Sequence, residues 1–129
     1  MVGNIKTVLC VDDEENGLAL RRRVLEKSGY RVLTATSGEE ALRIYDSEPI
    51  DAVVLDYFMP GMNGLKVAAR LKESGASVPI IILSAYTPLL DEALGLADCW
   101  ITKAAGDPSQ LPRAIAELDA TRHSHQKPI

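Results

Sequence analysis

The chain has 129 residues of which 47% are hydrophobic, enough for one domain with its own core and too little for two. Its 14 basic and 18 acidic residues leave a net charge of -4, and the run Arg21-Arg22-Arg23 reads as a solvated helix face, so nucleic acid is not expected as a direct partner. No apolar run approaches the roughly 18 to 20 residues of a membrane span, and MVGNIKTV has neither the basic start nor the long apolar stretch of a signal peptide. A cytoplasmic protein is expected, with no membrane partner.

The first apolar run, TVLCV (7–11), predicts a strand and carries Cys10. A helix follows, placed by its acidic start at Glu14 and Glu15 and its stop at Gly29; Leu18 and Leu25 fall on a different side from Leu20 and Val24. The second strand, RVLT (31–34), leads into a helix that Ser37 and Glu40 open as a capping box before Ala41, Ile44 and Tyr45. DAVVL (51–55) is the third strand, and a helix from about Asn63 to Gly75 follows it with Val67, Ala68 and Leu71 on one face. PIIIL (79–83) and CWIT (99–102) are the fourth and fifth strands. A fourth helix is expected on Leu90, Ala93 and Leu94, and a fifth on Leu111, Ala114, Ile115 and Leu118. The residues RHSHQKPI read as a frayed tail, and the pair His123 and His125 in it is not a metal site. Met59 and Met62, on either side of Pro60, are packing residues. Cys10 and Cys99 are too sparse for a disulfide framework or a zinc site and read as reduced, mostly buried thiols.

Alternation of strands and helices predicts an α/β fold, and the continuous apolar strands suit a parallel sheet covered on both faces. In such a sheet ligands gather at the carboxyl ends of the strands, where the winding reverses. The first strand ends in Asp12-Asp13, the third in Asp56, the fourth in Ser84 and the fifth in Lys103. With strand order 2-1-3-4-5, three carboxylates meet a hydroxyl and an ammonium at one edge. Singly, each has an ordinary explanation: Asp12 and Asp13 beside Glu14 and Glu15 complement a helix dipole, Ser84 starts a loop and Lys103 is a surface charge. Asp56 is harder to explain that way, because a tight turn rather than a helix follows it.

Three clustered carboxylates repel one another, and a hard divalent cation with oxygen ligands relieves them. Magnesium fits, since it takes a few carboxylates and completes its shell with water and phosphate oxygens. An ammonium and a hydroxyl beside it suit a transferring phosphoryl group. The pair Asp12-Asp13 can hold the metal, which leaves Asp56 to accept the phosphoryl group.

The acidic pair, the string Asp56-x-x-x-Pro60-x-x-x-Gly64, Ser84-Ala85 and Lys103 together resemble the receiver domain of two-component response regulators (CheY-like), over roughly residues 5 to 120. The resemblance implies a flavodoxin-like, doubly wound five-stranded parallel sheet in the order 2-1-3-4-5 with five helices. It makes Asp56 the phosphoacceptor, has Asp13, Asp56 and the backbone carbonyl of Phe58 bind Mg2+ with Asp12 in support, and sets Ser84 and Lys103 on the phosphoryl oxygens. Trp100 stands where the family has its switch aromatic, which moves together with Ser84. Phe58 and Tyr86 stand at positions that tune hydrolysis of the phosphoaspartate, and bulky rings there are expected to slow it. One departure is Ala104, where the family follows its lysine with proline, often through a cis bond; before alanine that bond costs about 3 kcal/mol.

The expected function is that of a phosphorelay receiver, phosphorylated on Asp56 by a sensor histidine kinase or histidine phosphotransfer protein, with possible dimerisation through helices 4 and 5. It is not a turnover enzyme for an outside substrate. The alternative is a degenerate receiver used as a phosphorylation-independent binding module. A haloacid dehalogenase phosphatase would need aspartate where Phe58 stands, and a flavodoxin a phosphate loop where DDEEN stands. The expected organisation is a receiver over residues 1–122 and a tail over 123–129, with no room for an output domain, so that the chain either stands alone or is an excised portion.

Overall fold

The computed structural model describes residues 4–85, 95–103 and 109–125, with the side chains of the final helix as far as Thr121. The elements run β1 (Thr7–Val11), α1 (Glu15–Lys27), β2 (Arg31–Ala35), α2 (Gly38–Ser47), β3 (Ala52–Asp56), α3 (Gly64–Glu73), β4 (Ile80–Ser84), β5 (Cys99–Thr102) and α4 (Gln110–His125). All strand pairs are parallel and the order is β2-β1-β3-β4-β5, as the sequence predicts. Four helices lie within the described residues; the helix expected on Leu90, Ala93 and Leu94 falls outside them. The final helix continues to His125, into the segment read as a frayed tail.

The sheet separates two cores because successive side chains of a strand point to opposite faces. Val8, Cys10, Ala52, Val54, Ile81 and Leu83 pack on one side with Leu18 and Leu25 of α1 and Leu111 and Ile115 of α4. Leu9, Val11, Val53, Leu55, Ile80 and Ile82 face the other side, against Ala41 of α2 and Val67, Ala68 and Leu71 of α3. Each fully buried Leu, Ile or Val contributes about 1.5 to 3 kcal/mol. Burial on both faces is what makes β1, β3 and β4 apolar at every interior position and confines their polar side chains to the ends.

Local signals place the helices. In α1 the burial of Leu18 and Leu25 and the 52% exposure of Leu20 resolve the two candidate apolar faces in favour of the first. Ser37 accepts from the Glu40 N–H at 3.2 Å, while the Glu40 carboxylate reaches back to the Thr36 N–H at 2.7 Å, one residue earlier than the capping box predicts. Asn63 caps α3 by accepting from the Lys66 N–H at 2.9 Å. Carboxylates tie the opposite ends of the strands: Asp51 accepts from the N–H groups of Lys6 and Thr7, Asp98 from that of Ile80, and the buried Asp119 of α4 from those of Asn4 and Ile5.

Strands β3 and β4 are each displaced by one residue from the sequence expectation, so that Asp56 and Ser84 are the last residues of their strands. The turn after Asp56 then closes tightly, with the Gly64 N–H donating to the Tyr57 carbonyl at 2.9 Å and Gly61 at φ +80°. A Cβ on Gly64 would lie 2.7 Å from the Asp56 carbonyl oxygen and 3.1 Å from Tyr57 Cα. Gly64→Ala is therefore expected to cost about 1 to 3 kcal/mol in urea unfolding, because backbone has to shift to admit the methyl. A loss within error of zero would mean that this approach relaxes freely.

Candidate functional site

Parallel pairing of β1 with both β2 and β3 brings Asp12, just beyond β1, beside Asp56 at the end of β3. The Asp12 N–H donates to the Ala35 carbonyl at 3.1 Å, which carries the β1–β2 ladder one residue past the strand. Asp12 and Asp56 are 2% and 5% exposed, whereas Asp13 is exposed. One carboxylate oxygen from each of the three lies within 4.8 Å of the others. This is an all-oxygen donor set with an open side, and it fits a magnesium ion that keeps water and phosphate ligands.

Two cations meet the buried acids. Lys103, directly after β5, forms an ion pair with Asp56 Oδ1 across β4. The ammonium thus reaches the acid despite the alanine that follows the lysine; Ala104 itself lies outside the described residues. Arg21 of α1 forms an ion pair with Asp12 Oδ2, while Asp12 Oδ1 accepts from the Glu14 N–H at 3.0 Å. Arg21 was expected on a solvated face, yet its side chain is only 17% exposed. Arg22 and Arg23 do face solvent, and Arg22 pairs with Glu26. In the sequence the spacing Leu18-Arg21-Leu25 sets a charge in one of the two candidate apolar faces of α1, and the packing of Leu18 and Leu25 selects that face.

Burial pushes the Asp56 carboxyl above the ordinary carboxylate range; the Lys103 hydrogen bond pulls it down, and the neighbouring Asp12 adds to the rise. Ser84 is buried at the end of β4, opposite Thr102 in the register with β5. Trp100 is half-buried in β5 on the α2/α3 side of the sheet, its ring 5.8 Å from that of Tyr57. Tyr57 also meets Phe58 edge to face at 5.0 Å, and Phe58 is 60% exposed. Sequence reasoning did not single out Tyr57, whose ring joins the residue after Asp56 to Trp100. Tyr86 lies outside the described residues. Met59 is buried and Met62 packs on the same core, as expected of packing residues. Cys10 is buried and its thiol is pushed up to about 12 by that burial, which makes it inert; Cys99 is only half-buried.

Residues 8–116 match the sequence profile of the response regulator receiver domain, so the chain belongs to that family. It is 42% identical over 101 residues to the alkaline phosphatase synthesis transcriptional regulatory protein PhoP of Bacillus subtilis, covering 76% of this chain and 42% of PhoP. It is 39% identical over 116 residues to the transcriptional regulatory protein PrrA of Mycobacterium tuberculosis, covering 88% of this chain and 46% of PrrA. The chain thus spans about half the length of the curated relatives it matches. Among solved structures, the response regulator TrrA of Thermotoga maritima in complex with Mg2+-BeF matches with a TM-score of 0.79 and 35% identity, over 88% of this chain and 99% of that one. A structure of the histidine kinase ThkA in complex with TrrA matches at 0.79 and 36%, over 88% and 98%. No helix among the described residues is long and apolar enough to cross a membrane.

The raised carboxyl of Asp56 makes stability depend on pH. Folded Asp56 takes up its proton at a higher pH than the unfolded chain, so ionised Asp56 subtracts stability above the folded value. That deficit is recovered as the pH falls through the folded value and below the unfolded one. Asp56→Asn is accordingly expected to raise the melting temperature in EDTA at pH 7. The advantage should shrink as the pH is lowered through the carboxylate range; a lower melting temperature at pH 7 would contradict the desolvation of Asp56.

Proposed function

We propose that this chain is a phosphorelay receiver in which Asp56 accepts a phosphoryl group from a phosphohistidine, with magnesium held by Asp12, Asp13 and Asp56 and the backbone carbonyl of Phe58. The observation that carries the reading is the convergence of buried Asp56 with two further carboxylates within 4.8 Å and with the Lys103 ammonium. A carboxylate with no metal or phosphate to bind has little reason to be buried among its like. Magnesium, when bound, supplies positive charge against the phosphoryl oxygens and the crowded acids.

The chain's own groups divide the remaining work. An Asp56 carboxylate oxygen forms the bond to phosphorus as the donor's N–P bond breaks, and the departing imidazole nitrogen takes a proton from water. Lys103 leaves Asp56 Oδ1 to meet the phosphoryl oxygens, and the Ser84 hydroxyl donates to another of them. That draws Ser84 toward the new group and vacates space beside β5, which Trp100 follows by changing rotamer, shifting an equilibrium between two arrangements. TrrA is seen both with Mg2+-BeF and with a histidine kinase, which supports a kinase or a histidine phosphotransfer protein as the donor here.

Trp100 is the one tryptophan of the chain, so its fluorescence reports a single site. Beryllofluoride or acetyl phosphate with Mg2+ is expected to change that fluorescence, and Asp56→Ala to abolish the change. A signal that survives in Asp56→Ala, or none in the parent, would instead favour a binding module that works without phosphorylation. Replacing Phe58 with Asn and Tyr86 with Glu together is expected to shorten the phosphoaspartate lifetime severalfold, since bulky residues at these two sequence positions are read as hindering water. An unchanged lifetime removes these residues from control of hydrolysis.

A further inference from the structure

Arg21 is a charge in the wrong place for an ordinary amphipathic helix. It lies three residues after Leu18 and four before Leu25, the two residues that α1 buries in the core. Its guanidinium is spent on Asp12, whose other oxygen is already engaged by the Glu14 N–H. Gly17, one turn earlier on the same face, is what leaves room. A Cβ there would lie 3.3 Å from Asp12 Oδ2 and 3.5 Å from both terminal nitrogens of Arg21. Glycine inside a helix costs about 1 kcal/mol relative to alanine, and here the cost accompanies a close approach by an ion pair.

The charge balance gives this pair a consequence. Asp12, Asp13 and Asp56 carry three negative charges, and Arg21 and Lys103 two positive ones, so the edge keeps a single net negative charge without any metal. We infer that Arg21 is a tethered cation that shares Asp12 with magnesium and so sets the affinity of the acid pocket for the metal. This rests on the magnesium reading proposed above. A divalent cation entering beside Asp12 meets a fixed positive charge and has to weaken or displace the guanidinium contact. The cleft that Arg21 lines with Leu20, Val24, Leu111 and Lys103, about 410 Å³ in volume, gives a displaced head group somewhere to go while its aliphatic stem stays packed. Two ligands competing for one carboxylate are negatively coupled, and each lowers the affinity of the other by the same factor.

The test is Mg2+ titration by calorimetry on the parent chain, Arg21→Met, Arg21→Lys and Asp13→Asn, with melting temperatures in EDTA and in saturating Mg2+. Arg21→Met is expected to bind Mg2+ about fivefold more tightly or better, the low end of typical coupling between ligands. It should melt lower in EDTA and gain more from Mg2+ than the parent does. Arg21→Lys, which keeps a charge but loses the planar fork, should bind more tightly than the parent and less tightly than Arg21→Met. If Arg21→Met does not fold, Arg21→Lys decides: tighter Mg2+ binding than the parent supports the inference. Unchanged or weaker binding in whichever variant folds overturns it, and weaker binding would make Arg21 a residue that orients Asp12 for the metal. Absence of saturable binding in the parent, or an unchanged affinity in Asp13→Asn, would instead overturn the magnesium reading and this inference with it.

Discussion

Two buried carboxylates on neighbouring strands, Asp12 and Asp56, stand at one edge of the sheet, and everything else at the site answers the cost of putting them there. Burial removes them from water and proximity sets them against each other, so each needs a cation supplied from another part of the chain. Lys103 comes from beyond the edge strand β5, and Arg21 from α1. The carboxylates therefore tie the helix that covers one face and the far strand of the sheet to a single point. The magnesium ion and phosphoryl group proposed here would enter a framework already arranged around opposite charge.

Aromatic residues link the strands on the other side of the sheet. Tyr57 follows Asp56 directly, its N–H donates to the Leu83 carbonyl at 2.8 Å, and its ring touches both Phe58 and Trp100. The residue after Asp56 is thus held by β4 through its backbone and by β5 through its ring. Gly64 keeps the same segment close by admitting the Asp56 carbonyl where no side chain fits. A rearrangement at Asp56 and Ser84 has few ways to be absorbed locally, since both are the last residues of buried strands.

Much of this was legible in the sequence because it rests on periodicity and order. Continuous apolar runs announce buried parallel strands, and a carboxylate at the end of such a run is conspicuous whatever its partner, as Asp56 is. Capping by Ser37 is equally local. What escaped were contacts that depend on which way a side chain turns. Arg21 looked like one of three solvated arginines, since adjacent helix positions differ by about 100° and only the packing of Leu18 and Leu25 reveals which arginine points inward. Tyr57 was not singled out, since its neighbour Trp100 is 43 residues away in sequence and two strands away in the sheet.

By itself the sequence determined the elements found among the described residues, their parallel order and the presence of acids at the strand ends, because hydrophobic period, turn chemistry and strand-end position are properties of neighbouring residues. Only the tertiary structure decided how the charges pair: that Lys103 reaches Asp56 without a proline behind it, and that Arg21 rather than Arg22 or Arg23 meets Asp12. Ion pairing across a sheet is settled by distances of a few ångströms between segments far apart in the chain. Those distances exist only once both cores have packed and fixed where each strand ends.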